Sequence, residues 1–218
     1  MIAASLGGSA LAGESTGTVT GNVPLPAGSG ARIAVEKYSG SISGKVGSPQ
    51  PAVAGVWLER SGLAAPANPP RLSLTQKDYQ FGRSLLVVPR GATVEFPNED
   101  DDYHNVYSLS KGSRFDLGRY KKGAAPPPNV TFHQAGLIRL SCEIHEHMRA
   151  VILVVESPYY TVTDASGAFV LAKVPPGNYT LHAQGDEKNR WTAPVTISAG
   201  RTTTAAIVPA GLAKISAR

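Results

Sequence analysis

Apolar and polar residues alternate along this chain in short runs, and glycine, proline or asparagine interrupts nearly every one. Alternation with a period of two over four to eight residues marks a half-buried strand. The spacing predicts strands over Thr18 to Pro26, Arg32 to Glu36, Ala52 to Arg60 and Arg71 to Gln76. It predicts more over Leu85 to Val88, Ala92 to Phe96, His104 to Leu109, Phe115 to Tyr120, Val130 to Phe132 and Leu137 to Leu140. Val151 to Val155 is wholly apolar and reads as the most buried strand. Ser39 to Pro51, Ala64 to Pro70, Asn98 to Asp102 and Ala124 to Pro128 read as loops. No stretch keeps a 3.6-residue period over three turns, so the chain is expected to be all-β.

After Pro158 the rhythm shortens. Strands are expected at Thr161 to Thr163, Ala168 to Leu171, Tyr179 to Ala183, Ala193 to Ile197 and Thr203 to Val208. Asp164-Ala165-Ser166-Gly167, Pro175-Pro176-Gly177-Asn178 and Ala199-Gly200 separate them, with Gly or Asn where a turn needs positive φ.

Composition narrows the class. The chain has 218 residues, 42% hydrophobic and 17% charged, as in a folded domain or pair of domains rather than a disordered chain. The net charge of +5 permits an acidic partner. No zinc-finger spacing, RNA-binding aromatic signature or long basic helix accompanies it, so nucleic acid is not the expected partner. No apolar run reaches membrane-spanning length. Met1 to Gly13 is small and mildly apolar and ends in Ala10-Leu11-Ala12, like the tail of a secretory signal without its charged front. A single cysteine rules out an internal disulfide.

The chemistry concentrates in Ser141-Cys142-Glu143-Ile144-His145-Glu146-His147-Met148. It holds the only cysteine, two of the five histidines and one of the two methionines. A thiolate, an imidazole and a thioether three and six residues on can be folded back to one point by a short loop leaving a strand. Two His, one Cys and a weak axial Met form a mononuclear copper electron-transfer site. One thiolate does not fit the structural zinc sets. His145-Glu146-His147 lacks the helical spacing of a zinc hydrolase, and a Cys/His hydrolytic pair would need a helix N-terminus or oxyanion hole near Cys142. His104, opening an alternating segment after an acidic loop, is the candidate fourth ligand. Asn105 is the candidate supporting residue, its amide tying the two ligand-bearing segments together. His147 reads as solvent-facing, and His133 and His182 as surface or packed residues.

These residues resemble a known family. Val94-Glu95-Phe96-Pro97-Asn98, then His104-Asn105-Val106, then Cys142-x-x-His145-x-x-Met148 before Val151-Ile152-Leu153-Val154, resemble the cupredoxins. The Cys-x-x-His-x-x-Met spacing is similar to that of amicyanin. Phe115-Asp116-Leu117-Gly118-x-Tyr120 with the Cys-x-Ile-His-x-x-Met loop resembles exported methylamine-utilisation and plastocyanin-like proteins. The resemblance implies one copper ion, cycling between Cu(II) and Cu(I), on His104, Cys142, His145 and axial Met148, with His145 as an exposed electron port. Glu143, Glu146 and His147 stand where amicyanin has small, proline or apolar residues. The tail, Thr163-Asp164-x-x-Gly167-x-Phe169-x-Leu171-x-x-Val174-Pro175-Pro176-Gly177-x-Tyr179-Thr180-Leu181, resembles a carboxypeptidase regulatory-like, transthyretin-type sandwich.

The expected fold is a Greek-key cupredoxin β-sandwich plus a smaller transthyretin-like β-sandwich. Residues 1–14 are expected to be disordered or a signal remnant, and residues 71–156 to form the copper domain. Residues 158–209 are expected to form the second sandwich, with 15–62 as N-terminal strands that complete it. The expected function is single-electron transfer between redox partner proteins in the periplasm or outside the cell, not enzymatic catalysis. The alternatives are a copper carrier or buffer without a redox partner, and an adhesion or carbohydrate-binding module with a vestigial metal site. Asp100, Asp101 and Asp102 read as an acidic surface patch, and Lys111, Arg114, Arg119, Lys121 and Lys122 as a basic one; ordinary solvated surface explains both equally well.

Overall fold

The structure is a computed structural model, described here for residues 15–26, 47–48 and 50–209. The strand expected at Arg32 to Glu36, residues 1–14 and most of the Ser39 to Pro51 loop lie outside the described residues. The described residues form strands and loops and contain no helix. Most of the expected alternating runs become strands, with ends shifted by up to four residues. The Arg71 to Gln76 run splits, and the last run becomes two short strands.

Two β-sandwiches pack against each other through a shared apolar cluster. The first is built from the middle of the chain. One of its sheets has five strands in the order β6 (Leu85–Pro89), β12 (Arg149–Val155), β11 (Gly136–Ser141), β8 (His104–Ser108) and β9 (Phe115–Tyr120). The facing sheet has β10 (Asn129–Thr131), β7 (Thr93–Glu95) and β3 (Arg71–Ser73). Neighbours in space are mostly not neighbours in sequence, as in a Greek key. β6 runs parallel to β12, while β11 and β12 form an antiparallel hairpin. Phe96, Phe132, Val94, Val106, Leu140, Ile152 and Met148 fill the space between the sheets. Cys142 and Met148 belong to this core, so the loop between β11 and β12 is anchored at both ends by apolar packing.

The second sandwich draws on both ends of the chain. β13 (Tyr160–Val162), β2 (Gly55–Glu59), β15 (Gly177–Gln184), β16 (Arg190–Ile197) and β18 (Val208–Pro209) form one sheet in that order. In the other, β1 (Gly17–Asn22) lies between β14 (Ala168–Val174) and β17 (Thr202–Ala205), antiparallel to the first and parallel to the second. Val19, Val56, Leu58, Phe169, Leu181, Trp191 and Ile197 make the core.

A third apolar cluster joins the sandwiches: Trp57 of β2 packs with Leu85, Val87, Leu153 and Val155 of β6 and β12. The contact needs a residue with no side chain at Gly55. A Cβ there would stand 2.6 Å from both Leu153 Cδ2 and Val87 Cγ2, closer than real Cβ contacts allow. A remaining two-stranded hairpin, β4 (Gln76–Lys77) and β5 (Gln80–Phe81), was not expected as a hairpin from the alternation, and it turns out to cover the site described next.

Candidate metal centre

The loop between β11 and β12 is short because its ends are pinned. Cys142 N–H donates to the Met148 carbonyl (3.3 Å), and Met148 N–H donates to the His145 carbonyl (2.9 Å). These bonds turn Cys142 and His145 inward and leave Glu143 and Glu146 exposed. β8 pairs with β11 next door, so His104 at its start arrives at the same point. The ligand-type atoms of His104, Cys142 and His145 all lie within 4.8 Å of one another, and all three residues are buried. His104 Nδ1 stands 3.1 Å from His145 Nδ1, and Cys142 Sγ 4.0 Å from that same nitrogen. Two ring nitrogens so close must share a proton or face a common cation. Met148 is fully buried in the same core.

The surroundings favour a thiolate. Burial pushes the Cys142 thiol up, but His104 and the backbone N–H groups of Asn105, His145 and Ile144 outweigh it and hold it below its ordinary value. Burial pushes His104 down, yet Cys142 and Asp100 outweigh that and raise it. His145 is lowered, first by burial and then by repulsion from His104. The Cys142 sulfur thus sits beside two imidazoles with backbone N–H donors around it, an arrangement that eases loss of the thiol proton.

Asn105 bridges the start of β8 and the loop that follows β11. Its Oδ1 accepts from Glu143 N–H (3.2 Å), and its Nδ2 donates to Asp116 Oδ1 (2.6 Å) and more weakly to the Gly118 carbonyl (3.4 Å). Asn98 orders the preceding loop. Its Nδ2 donates to the carbonyls of Asp102 and Tyr120, and its Oδ1 accepts from Asp100 N–H.

Two expectations need correction. His145 is not an exposed port: it is 5% exposed. The ring of Tyr79, itself 4% exposed, packs edge-on against both His145 (5.0 Å between centroids) and His104 (5.6 Å). Nor does Asp100 belong to a surface patch. Its Oδ2 lies 2.7 Å from His104 Nε2, on the side of the ring away from Cys142 and His145. Asp100 sits below its ordinary value: burial works upward, but His104 and the N–H groups of Tyr79 and Asp78 prevail. His147 is only half-buried, with Nε2 donating to the Tyr79 carbonyl (2.9 Å) and its ring 6.1 Å from that of His145. His133 is exposed, and His182 stacks on Trp57. The charged patches are partly self-paired, through Arg119 with Glu143 and Lys122 with Asp101.

Comparison with known proteins adds to the geometry. Residues 148–209 match the carboxypeptidase regulatory-like domain. That span takes in all of the second sandwich's C-terminal strands and also β12, which pairs within the first sandwich. No curated protein matches the chain. Among solved structures, a Cu(I) mutant form of amicyanin is similar at 22% identity, over 39% of this chain and 82% of that one, with a TM-score of 0.36. A purple cupredoxin from Nitrosopumilus maritimus is similar at 19% identity, over 38% of this chain and 99% of that one, with a TM-score of 0.34. A copper-containing nitrite reductase from Thermus scotoductus is similar at 21% identity, over 53% of this chain but 25% of that one, with a TM-score of 0.36. The fold itself is all-β, a Greek-key sandwich beside a second, smaller sandwich whose C-terminal strands match the carboxypeptidase regulatory-like domain.

Proposed function

We propose that the chain is an exported type 1 copper protein that passes single electrons between redox partner proteins. The observation that carries this reading is the buried cluster of one cysteine sulfur and two imidazoles within 4.8 Å, with backbone N–H donors already in place around the sulfur. In this reading His104, Cys142 and His145 are the strong ligands, and Met148 supplies a weak axial thioether. This set suits copper and leaves no open position for a substrate, so an electron carrier is favoured over an enzyme. A bound copper ion would supply one-electron redox chemistry. The protein's part is to hold the donors rigidly: β8, the β11–β12 loop and Asn105 fix them before any ion arrives.

Residues 71–156 are proposed as the copper domain, and residues 15–62 with 158–209 as one second domain into which it is inserted. The pairing of β1 with β14 and β17 supports this. The periplasm or the cell exterior is the proposed location, and no helix among the described residues is long and apolar enough to cross a membrane.

The burial of His145 beneath Tyr79 favours one rival, a copper carrier or buffer with no redox partner. Voltammetry of the copper-loaded protein separates the two. A fast, reversible one-electron wave supports electron transfer. Tight copper binding with no reversible wave supports the buffer.

A further inference from the structure

Asp100 touches more than the imidazole. Its Oδ1 accepts from Asp78 N–H (2.8 Å) and its Oδ2 from Tyr79 N–H (3.0 Å), while Oδ2 also meets His104 Nε2 (2.7 Å). Asp78 and Tyr79 are the two turn residues of the β4–β5 hairpin, and both are left-handed, with φ of 52° and 56°. Two consecutive non-glycine residues in that region need something to hold them, and tyrosine has no small polar side chain to help. One carboxylate therefore holds both strained N–H groups and the remote nitrogen of a ligand histidine. The turn it holds carries the ring that covers both histidines. Asp102 takes the far end of that ring, accepting from Tyr79 Oη at 3.3 Å.

We propose that Asp100 is the positioning residue of this site, latching the Tyr79 lid to His104 so that the lid and the ligand set move as one unit. The proposal rests on the copper reading for its effect on the metal, but not for the latch itself. Asp100 accepts the hydrogen bond from His104 Nε2–H, which keeps the proton on Nε2 and leaves Nδ1 with its lone pair towards Cys142 and His145. A carboxylate on the remote N–H makes an imidazole a stronger donor. A stronger donor stabilises Cu(II) more than Cu(I), so Asp100 holds the reduction potential down. Covering His145 also removes direct contact with a partner, so an electron leaves past the Tyr79 turn and the half-buried His147 rather than from a bare imidazole edge.

The experiment compares wild type with Asp100→Ala and the gentler Asp100→Asn. Amide hydrogen exchange on the metal-free protein should quicken at Asp78 and Tyr79 by about tenfold or more, because each loses a charge-assisted hydrogen bond. Nitrogen NMR of the metal-free protein above pH 8 should show His104 as the Nε2–H tautomer in wild type and as a mixture in Asp100→Ala. In the copper-loaded protein, Cu(II) affinity should fall by about 10- to 100-fold. The potential should rise by about 59 mV for each tenfold by which Cu(II) loses more than Cu(I). Unchanged exchange at both amides, or an unchanged tautomer, overturns the latch. Faster exchange with an unchanged potential also overturns the proposal, since Asp100 would then only cap a turn. The first two readouts need no metal. A chain that takes up no copper would contradict the proposed function and still decide the latch.

Discussion

Asn105→Ala should loosen the whole site without touching a ligand. Asn105 is fully buried, between the start of β8 and the Cys142 loop. The substitution removes the acceptor for Glu143 N–H at 3.2 Å and the donor to Asp116 at 2.6 Å. The contact to the Gly118 carbonyl, at 3.4 Å, is too long to add much. Each of the two better bonds is worth about 1 kcal/mol net, and the exposure of Asp116 keeps its bond at the neutral value, so the sum is about 2 kcal/mol. For a chain of this size that corresponds to a fall in Tm of about 4–8 °C. Urea unfolding of the metal-free protein measures it, with the m-value unchanged. Asn129→Ala is the control: Asn129 is exposed and makes one 3.4 Å bond, so the change should stay within about 0.5 kcal/mol. A loss at Asn105 no larger than at Asn129 would refute the idea that this amide ties the segments together.

The other predictions concern the axial ligand, the joint between the sandwiches, and pH. Met148→Leu should keep the thiolate-to-copper colour and raise the reduction potential, because a weak axial donor is lost; an unchanged potential would remove Met148 from the ligand set. Gly55→Val should cost about 1–3 kcal/mol by overpacking against Leu153 and Val87, and calorimetry showing no loss would contradict the close approach. His182 sits below its ordinary value, chiefly through burial and against the pull of Glu59, so the unfolded chain binds its proton more readily. Its share of stability is therefore full above about pH 6.5 and lost as pH falls towards the folded value. Wild type should lose more stability than His182→Gln between pH 7 and pH 5, and equal losses would contradict that sign.

The parts of this fold that were legible in the sequence are those whose physics is local. Val151 to Val155 is apolar throughout because β12 is covered on both faces, by the first core and by Trp57. The Gly-containing turns after Pro158 mark strand ends because the backbone there needs positive φ, as at Gly167. Cys142, His145 and Met148 stood out because three soft or nitrogen donors fall within seven residues. What escaped depends on distant partners. The β4–β5 strands are two residues each, and nothing local marks Asp78-Tyr79 as a left-handed turn; Asp100, twenty-odd positions on, holds it. For the same reason three successive aspartates looked like solvated surface, although the first is drawn in by His104 and two strained N–H groups. The exposed His145 was what the family resemblance implied, yet Glu143 and Glu146 point outward while His145 turns inward under a ring from another hairpin.

The most direct test of the central claim is to add Cu(II) to the purified protein and record its visible absorption. The donor set predicts one equivalent of copper and an intense blue thiolate-to-copper band that Cys142→Ser abolishes. A colourless protein that binds zinc as tightly as copper would contradict it.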